Sequence, residues 1–313
     1  MTLSRTWVRP RRLRLGDRIA IVAPSGPVDR ALVAGGARRL EEAGFRVVLG
    51  RRLFSRRGHL AGSDRDRLAD LNRALRDPAI RAIVMARGGY GAMRLVPGVD
   101  WKAMRRDPKV FAGFSDGSFL HAGFASASGV RTLHGPNVQG FGKASRRDAA
   151  RWLAWATEPR PDLPWRTLQG RERLAGPAAA VRGRVLGGNL VLVHFAAMAG
   201  LLPSLRGAIL FLEEVNEPSY RVDSLLVALR QAGCLRGLRG VALGGFTRYA
   251  PPKEWREALP RGVLLDHLGA LGVPVVSGFA AGHGRANAPF PLGARATLDP
   301  RRRTLVFEEG LVC

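Results

Sequence analysis

Four times in its first half the chain repeats one arrangement: a short strand-like run, apolar in the first three cases, that ends abruptly in glycine, proline, serine or asparagine. Asp17–Ser25 (DRIAIVAPS) passes into Pro24-Ser25-Gly26-Pro27. Ile80–Ala86 (IRAIVMA) passes into Arg87-Gly88-Gly89-Tyr90-Gly91, Val110–Phe114 into Ser115-Asp116-Gly117, and Val130–Leu133 into His134-Gly135-Pro136-Asn137. Runs that are apolar throughout, without alternation, belong inside a parallel sheet covered on both faces. Between the first and second of these runs, residues 28–43 carry Leu32, Val33, Leu40 and Ala43 at helical spacing and close on Gly44. Phe45–Leu49 is a further strand. Ser63 caps a helix through Leu75, with Asp66 placed for a capping box. Strand and helix in alternation, with glycine-rich loops after the strands, predict a doubly wound α/β domain whose ligands sit at the strands' carboxyl ends. Loops 87–91, 113–117 and 134–137 should then share one rim.

A chain of 313 residues can hold more than one core. After a helix at about 146–157 the texture changes to arginine, proline, tryptophan and glycine. The expected division is an N-terminal α/β domain over 1–160, a linker over 161–180 and a C-terminal domain over 181–313. That last domain opens with Gly187-Gly188-Asn189-Leu190 and an apolar helix, followed by the strand Ala208–Leu212 ending at Glu213-Glu214. A helix at about 221–232, a strand at Gly240–Gly244, a helix at about 260–271, and Val273–Val276 leading into Gly282-His283-Gly284 come next. Ala294–Leu298 and Thr304–Glu308 have the pattern of a terminal hairpin.

Gly113-Phe114-Ser115-Asp116-Gly117 fits G-x-S-x-G at a strand-to-helix junction. Such a turn strains the backbone at the serine and keeps neighbouring side chains away. It also exposes backbone N–H groups to an oxyanion. Ser115 is therefore the expected nucleophile, and it needs a base and an acid that orients the base. Among six histidines, His283 stands out in a Gly-His-Gly turn after a strand, with His134 at the end of another strand as the alternative. For the acid, Glu213 and Glu214 follow an apolar strand directly, where a carboxylate is costly to bury without a partner. A rim carboxylate paired with one of the many arginines is the competing reading. Gly88-Gly89-Tyr90-Gly91 lacks the spacing of a dinucleotide loop and suits a second N–H donor beside the serine.

Composition limits the other function classes. The net charge is +25, and of 50 basic residues only Lys102, Lys109, Lys143 and Lys253 are lysine. The arginines are scattered along the length, which fits solvated faces better than a nucleic-acid surface. Two cysteines suggest neither a disulfide framework nor a zinc site. The N-terminus is basic (Arg5, Arg9, Arg11, Arg12, Arg14) with no signal-like apolar run after it. No apolar stretch reaches the roughly 20 residues of a membrane span. The expectation is a cytoplasmic protein.

Ala23-Pro24-Ser25-Gly26, Arg87-Gly88-Gly89-Tyr90-Gly91, Gly113-Phe114-Ser115-Asp116, His134-Gly135-Pro136, Gly187-Gly188-Asn189-Leu190, Leu212-Glu213-Glu214, Glu217-Pro218-Ser219-Tyr220-Arg221-Val222-Asp223 and Gly282-His283 occur in series, followed by Pro291-Leu292-Gly293. In this order they resemble the LD-carboxypeptidase family of serine peptidases, which includes microcin C immunity peptidases. The resemblance runs from about residue 13 to about 308. It implies a flavodoxin-like or amidotransferase-like parallel-sheet domain, a smaller β-rich α/β domain, an active site between them, and a homodimer. By the same resemblance Ser115 is the nucleophile, His283 the base and Glu213 the acid, with the N–H groups of Asp116 and of Gly89 (or Gly88) as the oxyanion hole. No cofactor and no metal is implied. Gly117-Ser118, Glu214 and Asn137 depart from the family's usual residues and bear on substrate preference.

The implied reaction is hydrolysis of the amide between the L-centre of a diamino acid and a terminal D-alanine, as in a murein tetrapeptide during peptidoglycan recycling. Arg87 is a candidate for a substrate carboxylate, with a structural pairing inside its loop as the alternative. Tyr90, Glu217 and Tyr220 are candidate pocket residues. An immunity-type peptidase acting on an aminoacyl-nucleotide conjugate is the rival within the family, and Trp152, Trp155 and Trp165 would be its aromatic platform. A basic nucleic-acid-binding protein is the more distant rival. The partner expected is a small peptide, with neither membrane nor nucleic acid.

Overall fold

The computed structural model describes residues 7–247 and 260–313. Arg5 and Lys253, named above, lie outside them. The chain divides into two compact units, one formed by Met1–Pro161, Pro289–Gly293 and Gly310–Cys313, the other by Asp162–Ala288 and Ala294–Glu309.

The first unit runs β1 (Arg18–Val22), α1 (Arg30–Glu42), β2 (Arg46–Leu49), α2 (Asp64–Arg76), β3 (Ile80–Met85), α3 (Trp101–Arg106), β4 (Val110–Gly113), α4 (Gly117–Gly123), β5 (Thr132–His134), α5 (Val138–Phe141) and α6 (Arg146–Thr157). The second runs α7 (Leu163–Arg166), β6 (Thr167–Gln169), β7 (Glu172–Ala175), β8 (Val181–Asn189), α8 (Leu190–Met198), β9 (Ala208–Val215), α9 (Ser219–Gln231), β10 (Gly240–Thr247), α10 (Pro260–Leu264) and β11 (Val275–Ser277). The chain then returns to the first unit as β12 (Phe290–Leu292) and closes the second with β13 (Arg295–Asp299) and β14 (Thr304–Phe307).

The first sheet has the order β12-β5-β4-β3-β1-β2, parallel throughout except for the antiparallel β12–β5 pair. Ile19, Ile21, Ile83 and Phe111 are wholly buried in it, as expected of strands covered on both faces. α2 starts where the sequence signals it. Ser63 Oγ accepts the Asp66 N–H at 3.1 Å, while the Ser63 hydroxyl donates to the Asp66 carboxylate at 2.8 Å, so only half of the reciprocal capping box forms.

The second sheet has the order β6-β14-β13-β8-β9-β10-β11-β7. Its four middle strands are parallel, and its flanks are antiparallel. The fold is thus mixed α/β with a parallel N-terminal sheet and a second, strand-rich unit. Residues 161–180, expected as a linker, supply α7, β6 and β7; strands of three and four residues show too little periodicity to stand out in sequence. β9 also runs three residues past Leu212 because β10 pairs with it out to Val215. Glu213 and Glu214 therefore sit on a strand, facing opposite sides, rather than in the loop after one.

A strained serine in one unit, an anchored histidine in the other

Ser115 follows β4, a central strand of the first sheet, and its backbone is left-handed at φ 62°. That conformation costs a non-glycine residue about 1–3 kcal/mol and persists only where the surroundings impose it. The surroundings here are tight. A Cβ on Gly113 would lie 2.8 Å from the Met85 sulfur, and one on Gly117 2.6 Å from it, so Gly117 has a packing reason of its own. Asn137 Oδ1 accepts the Phe114 N–H at 3.3 Å, fixing the approach to the turn from the neighbouring loop. His121 braces it from behind, its ring nitrogens 2.9 Å from the Gly113 carbonyl and 2.8 Å from Thr132 Oγ1. Burial pushes His121 down to about 4, so the ring is neutral, donating to the carbonyl and accepting from the hydroxyl.

The Arg-Gly-Gly-Tyr-Gly loop lies directly against the serine. A Cβ on Gly88 would come 2.9 Å from Ser115 Oγ, a position only glycine can hold. The N–H groups of Gly88, Gly89 and Asp116 make no hydrogen bond among the described residues. Arg87 is exposed and donates from Nη1 to the Pro27 carbonyl at 2.7 Å, tying this loop to the Pro24-Ser25-Gly26-Pro27 loop. Tyr90 is exposed, with its ring 5.6 Å from that of His59.

His134, the alternative base, does not reach the rim. β12 pairs with β5 over it, and its fully buried ring stacks on Phe290 at 4.8 Å. Trp152 and Trp155 are likewise core residues. Trp155 donates to the Pro289 carbonyl at 3.1 Å, so neither can serve as a platform for a base.

In the second unit, Glu213 is fully buried and its Oε2 lies 2.7 Å from His283 Nδ1 and 3.1 Å from the His283 backbone N. A ring N–H on Nδ1 pointing at a carboxylate leaves Nε2 as the acceptor. Gly282 makes the approach possible: its φ is 101°, and a Cβ there would sit 2.4 Å from Glu213 Oε2. Asn287, which no sequence pattern marks, holds this turn by accepting the Gly282 N–H at 2.9 Å.

Glu214 faces the other side of β9. It accepts from Asn189 Nδ2 at 2.8 Å, Val215 N at 2.8 Å and Val191 N at 3.0 Å, and burial pushes it up to about 7. Gly187-Gly188-Asn189-Leu190 is thereby explained structurally. Gly187, at φ 127°, passes within contact of the Phe211 carbonyl, and Asn189 caps α8 while holding Glu214. Glu217 pairs with Arg221 at 3.6 Å, and Tyr220 is exposed on the first turn of α9. A cavity of about 640 Å³ has Phe246, Thr247 and Gly284 in its lining, together with Arg171, Arg285 and the ion pair Arg261–Glu172.

Of the predicted site residues, Ser115, Asp116, Gly89, Arg87 and Tyr90 thus gather on the first unit, and Glu213, His283, Glu217 and Tyr220 on the second. Among the described residues no group of three His, Cys, Asp or Glu side chains is placed to hold a metal ion. No helix among them is long and apolar enough to cross a membrane.

A serine forced into left-handed backbone and a histidine with a buried carboxylate behind its ring belong to the chemistry of serine hydrolases. Comparison with known proteins narrows the class. Residues 19–135 match the LD-carboxypeptidase N-terminal domain, and residues 182–298 match the LD-carboxypeptidase C-terminal domain. The murein tetrapeptide carboxypeptidase of Pseudomonas aeruginosa is 34% identical over 92% of this chain and 95% of its own. A probable murein peptide carboxypeptidase of Bacillus subtilis is 32% identical over 97% and 95%. In structure, an MccF-like protein from Bacillus anthracis superposes with a TM-score of 0.85 at 24% identity, covering 96% of this chain and 99% of its own. The chain belongs to the LD-carboxypeptidase family, the S66 peptidases. It is a serine-type carboxypeptidase.

Proposed function

We propose that this carboxypeptidase releases the terminal D-alanine from murein tetrapeptides, cutting the amide to the L-centre of the diamino acid, with Ser115, His283 and Glu213 as its triad. The observation that carries the reading is the 2.7 Å hydrogen bond between His283 Nδ1 and Glu213, since a base for Ser115 must present a bare Nε2. His283 Nε2 takes the Ser115 proton as Oγ adds to the carbonyl carbon. The N–H groups of Asp116 and Gly89 receive the oxyanion, each contributing about 3 kcal/mol to the transition state. Collapse of the adduct passes the proton from the imidazolium to the departing D-alanine amine. Water, deprotonated in turn by His283, then frees the acyl group from Ser115. Glu213 holds the tautomer and stabilises the imidazolium without being protonated itself.

The relatives at 32% and 34% identity, named for murein peptides, support this substrate class. Arg171 and Arg285, which line the same cavity as Gly284, suit a carboxylate-bearing peptide, as does exposed Arg87. Tyr90, Glu217 and Tyr220 would line the approach. This assignment places the enzyme in the recycling of peptidoglycan fragments. The test is to incubate the protein with a murein tetrapeptide and, in parallel, an aminoacyl-nucleotide conjugate, and to identify the cleaved bond by mass spectrometry. Free D-alanine with tripeptide is expected. Cleavage of the conjugate alone would move the enzyme to the immunity-type activity.

A further inference from the structure

Asp116 offers more than a backbone N–H. The residue is 1% exposed, and its side chain reaches the Arg-Gly-Gly-Tyr-Gly loop and the residue after it, where Oδ2 accepts the Ala92 N–H at 2.7 Å. The same peptide is gripped at its other end. Arg67, projecting from α2 and 2% exposed, donates from Nη1 to the Gly91 carbonyl at 2.9 Å and to the Pro24 carbonyl. Its other terminal nitrogen pairs with Asp64. The Gly91–Ala92 peptide is thus pinned by a carboxylate on its N–H and a guanidinium on its C=O. There is no slack at Gly91, whose φ is 127° and where a Cβ would lie 2.6 Å from Leu60 and 2.7 Å from Arg67 Nη1.

Gly89 and Gly88 are two and three residues upstream of this pinned peptide, and Gly88 rests on Ser115. An oxyanion hole built from N–H groups on two separate loops works only if the distance between the loops is fixed. We propose that Asp116 and Arg67 are positioning residues that set this distance. The residue that offers one oxyanion donor through its backbone would, through its side chain, hold the loop that offers the other. The carboxylate's charge is part of the device, because a buried aspartate facing an N–H and a nearby guanidinium binds more strongly than a neutral amide would. Burial raises the Asp116 carboxyl, opposed first by the Ser25 hydroxyl and then by the Ala92 N–H, the Arg67 charge and the Gly91 N–H.

The inference rests on the serine-peptidase reading, so its test needs a measurement independent of the substrate. The rate of Ser115 labelling by a fluorophosphonate supplies one, since the phosphonyl oxygen occupies the oxyanion hole whatever peptide the enzyme prefers. Asp116→Asn and Arg67→Met should each slow labelling and lower kcat by about 10- to 100-fold, with KM within about threefold and with unchanged melting temperature for Asp116→Asn. Because both side chains hold one peptide, the double variant should be no more than a fewfold slower than the worse single variant. Arg67→Lys, which keeps the charge but loses the planar fork that reaches the two carbonyls and Asp64 together, should fall between wild type and Arg67→Met. If wild type is labelled and both variants are labelled at the wild-type rate, the positioning role is overturned. Strictly multiplicative losses in the double variant would equally contradict it. If wild type is not labelled at all, the serine-peptidase reading itself fails.

Discussion

Glu213 holds His283 at two points, ring and backbone, through a single carboxylate oxygen: Oε2 lies 2.7 Å from Nδ1 and 3.1 Å from the backbone N. Both are donors, so the oxygen must be an acceptor, and the arrangement specifies one tautomer and one ring orientation together.

Glu213→Gln tests that specification. The amide has nearly the same shape but puts an NH2 where two donors already point, or forces a flip. With folding intact by circular dichroism, kcat should fall by about 10³- to 10⁴-fold, the range found when a triad carboxylate becomes an amide. A loss of less than tenfold would remove Glu213 from the triad.

Gly282→Ala separates backbone from side chain. The new Cβ would lie 2.4 Å from Glu213 Oε2 in a residue at φ 101°. Strain of about 1–3 kcal/mol should appear in urea unfolding, together with a fall in kcat as His283 is pushed from its carboxylate. Full activity with full stability would show that the turn is more plastic than described.

Glu214 gives a pH prediction of definite sign. Its ordinary value is 4.5 and burial in the fold raises it to about 7, so between these values the folded state holds a proton that the unfolded state has released. Its contribution to stability is complete below pH 4.5 and is lost as pH rises through about 7. Unfolding at pH 5, 6 and 8 should therefore show Glu214→Gln gaining on wild type as pH increases. A difference independent of pH would contradict the shift.

The parallel strands were legible because β1, β3 and β4 are apolar on both faces and end in residues that only a functional loop would use. The extension of β9 through Val215 was hidden by its two glutamates, which look like a strand end until each is seen to have buried partners. β12 was hidden as well: it is three residues long and contains Pro291, yet it pairs with β5 and thereby buries His134. At the site, Ser115, Glu213 and His283 could be nominated from residue type and position. Asn137, Asn287 and Arg67 could not, because their importance lies in which backbone group they hold. No local pattern in the sequence reports that pairing.

The central claim is that Ser115 is the nucleophile of an LD-carboxypeptidase. Its most direct test is D-alanine release from a murein tetrapeptide by wild type and by Ser115→Ala, with folding of both checked by thermal unfolding. Wild type should release D-alanine. The variant should fold, since alanine keeps the backbone of the turn and removes a single oxygen, and should retain less than about 10⁻³ of the wild-type rate. A folded Ser115→Ala protein that still releases D-alanine above that level would contradict the assignment.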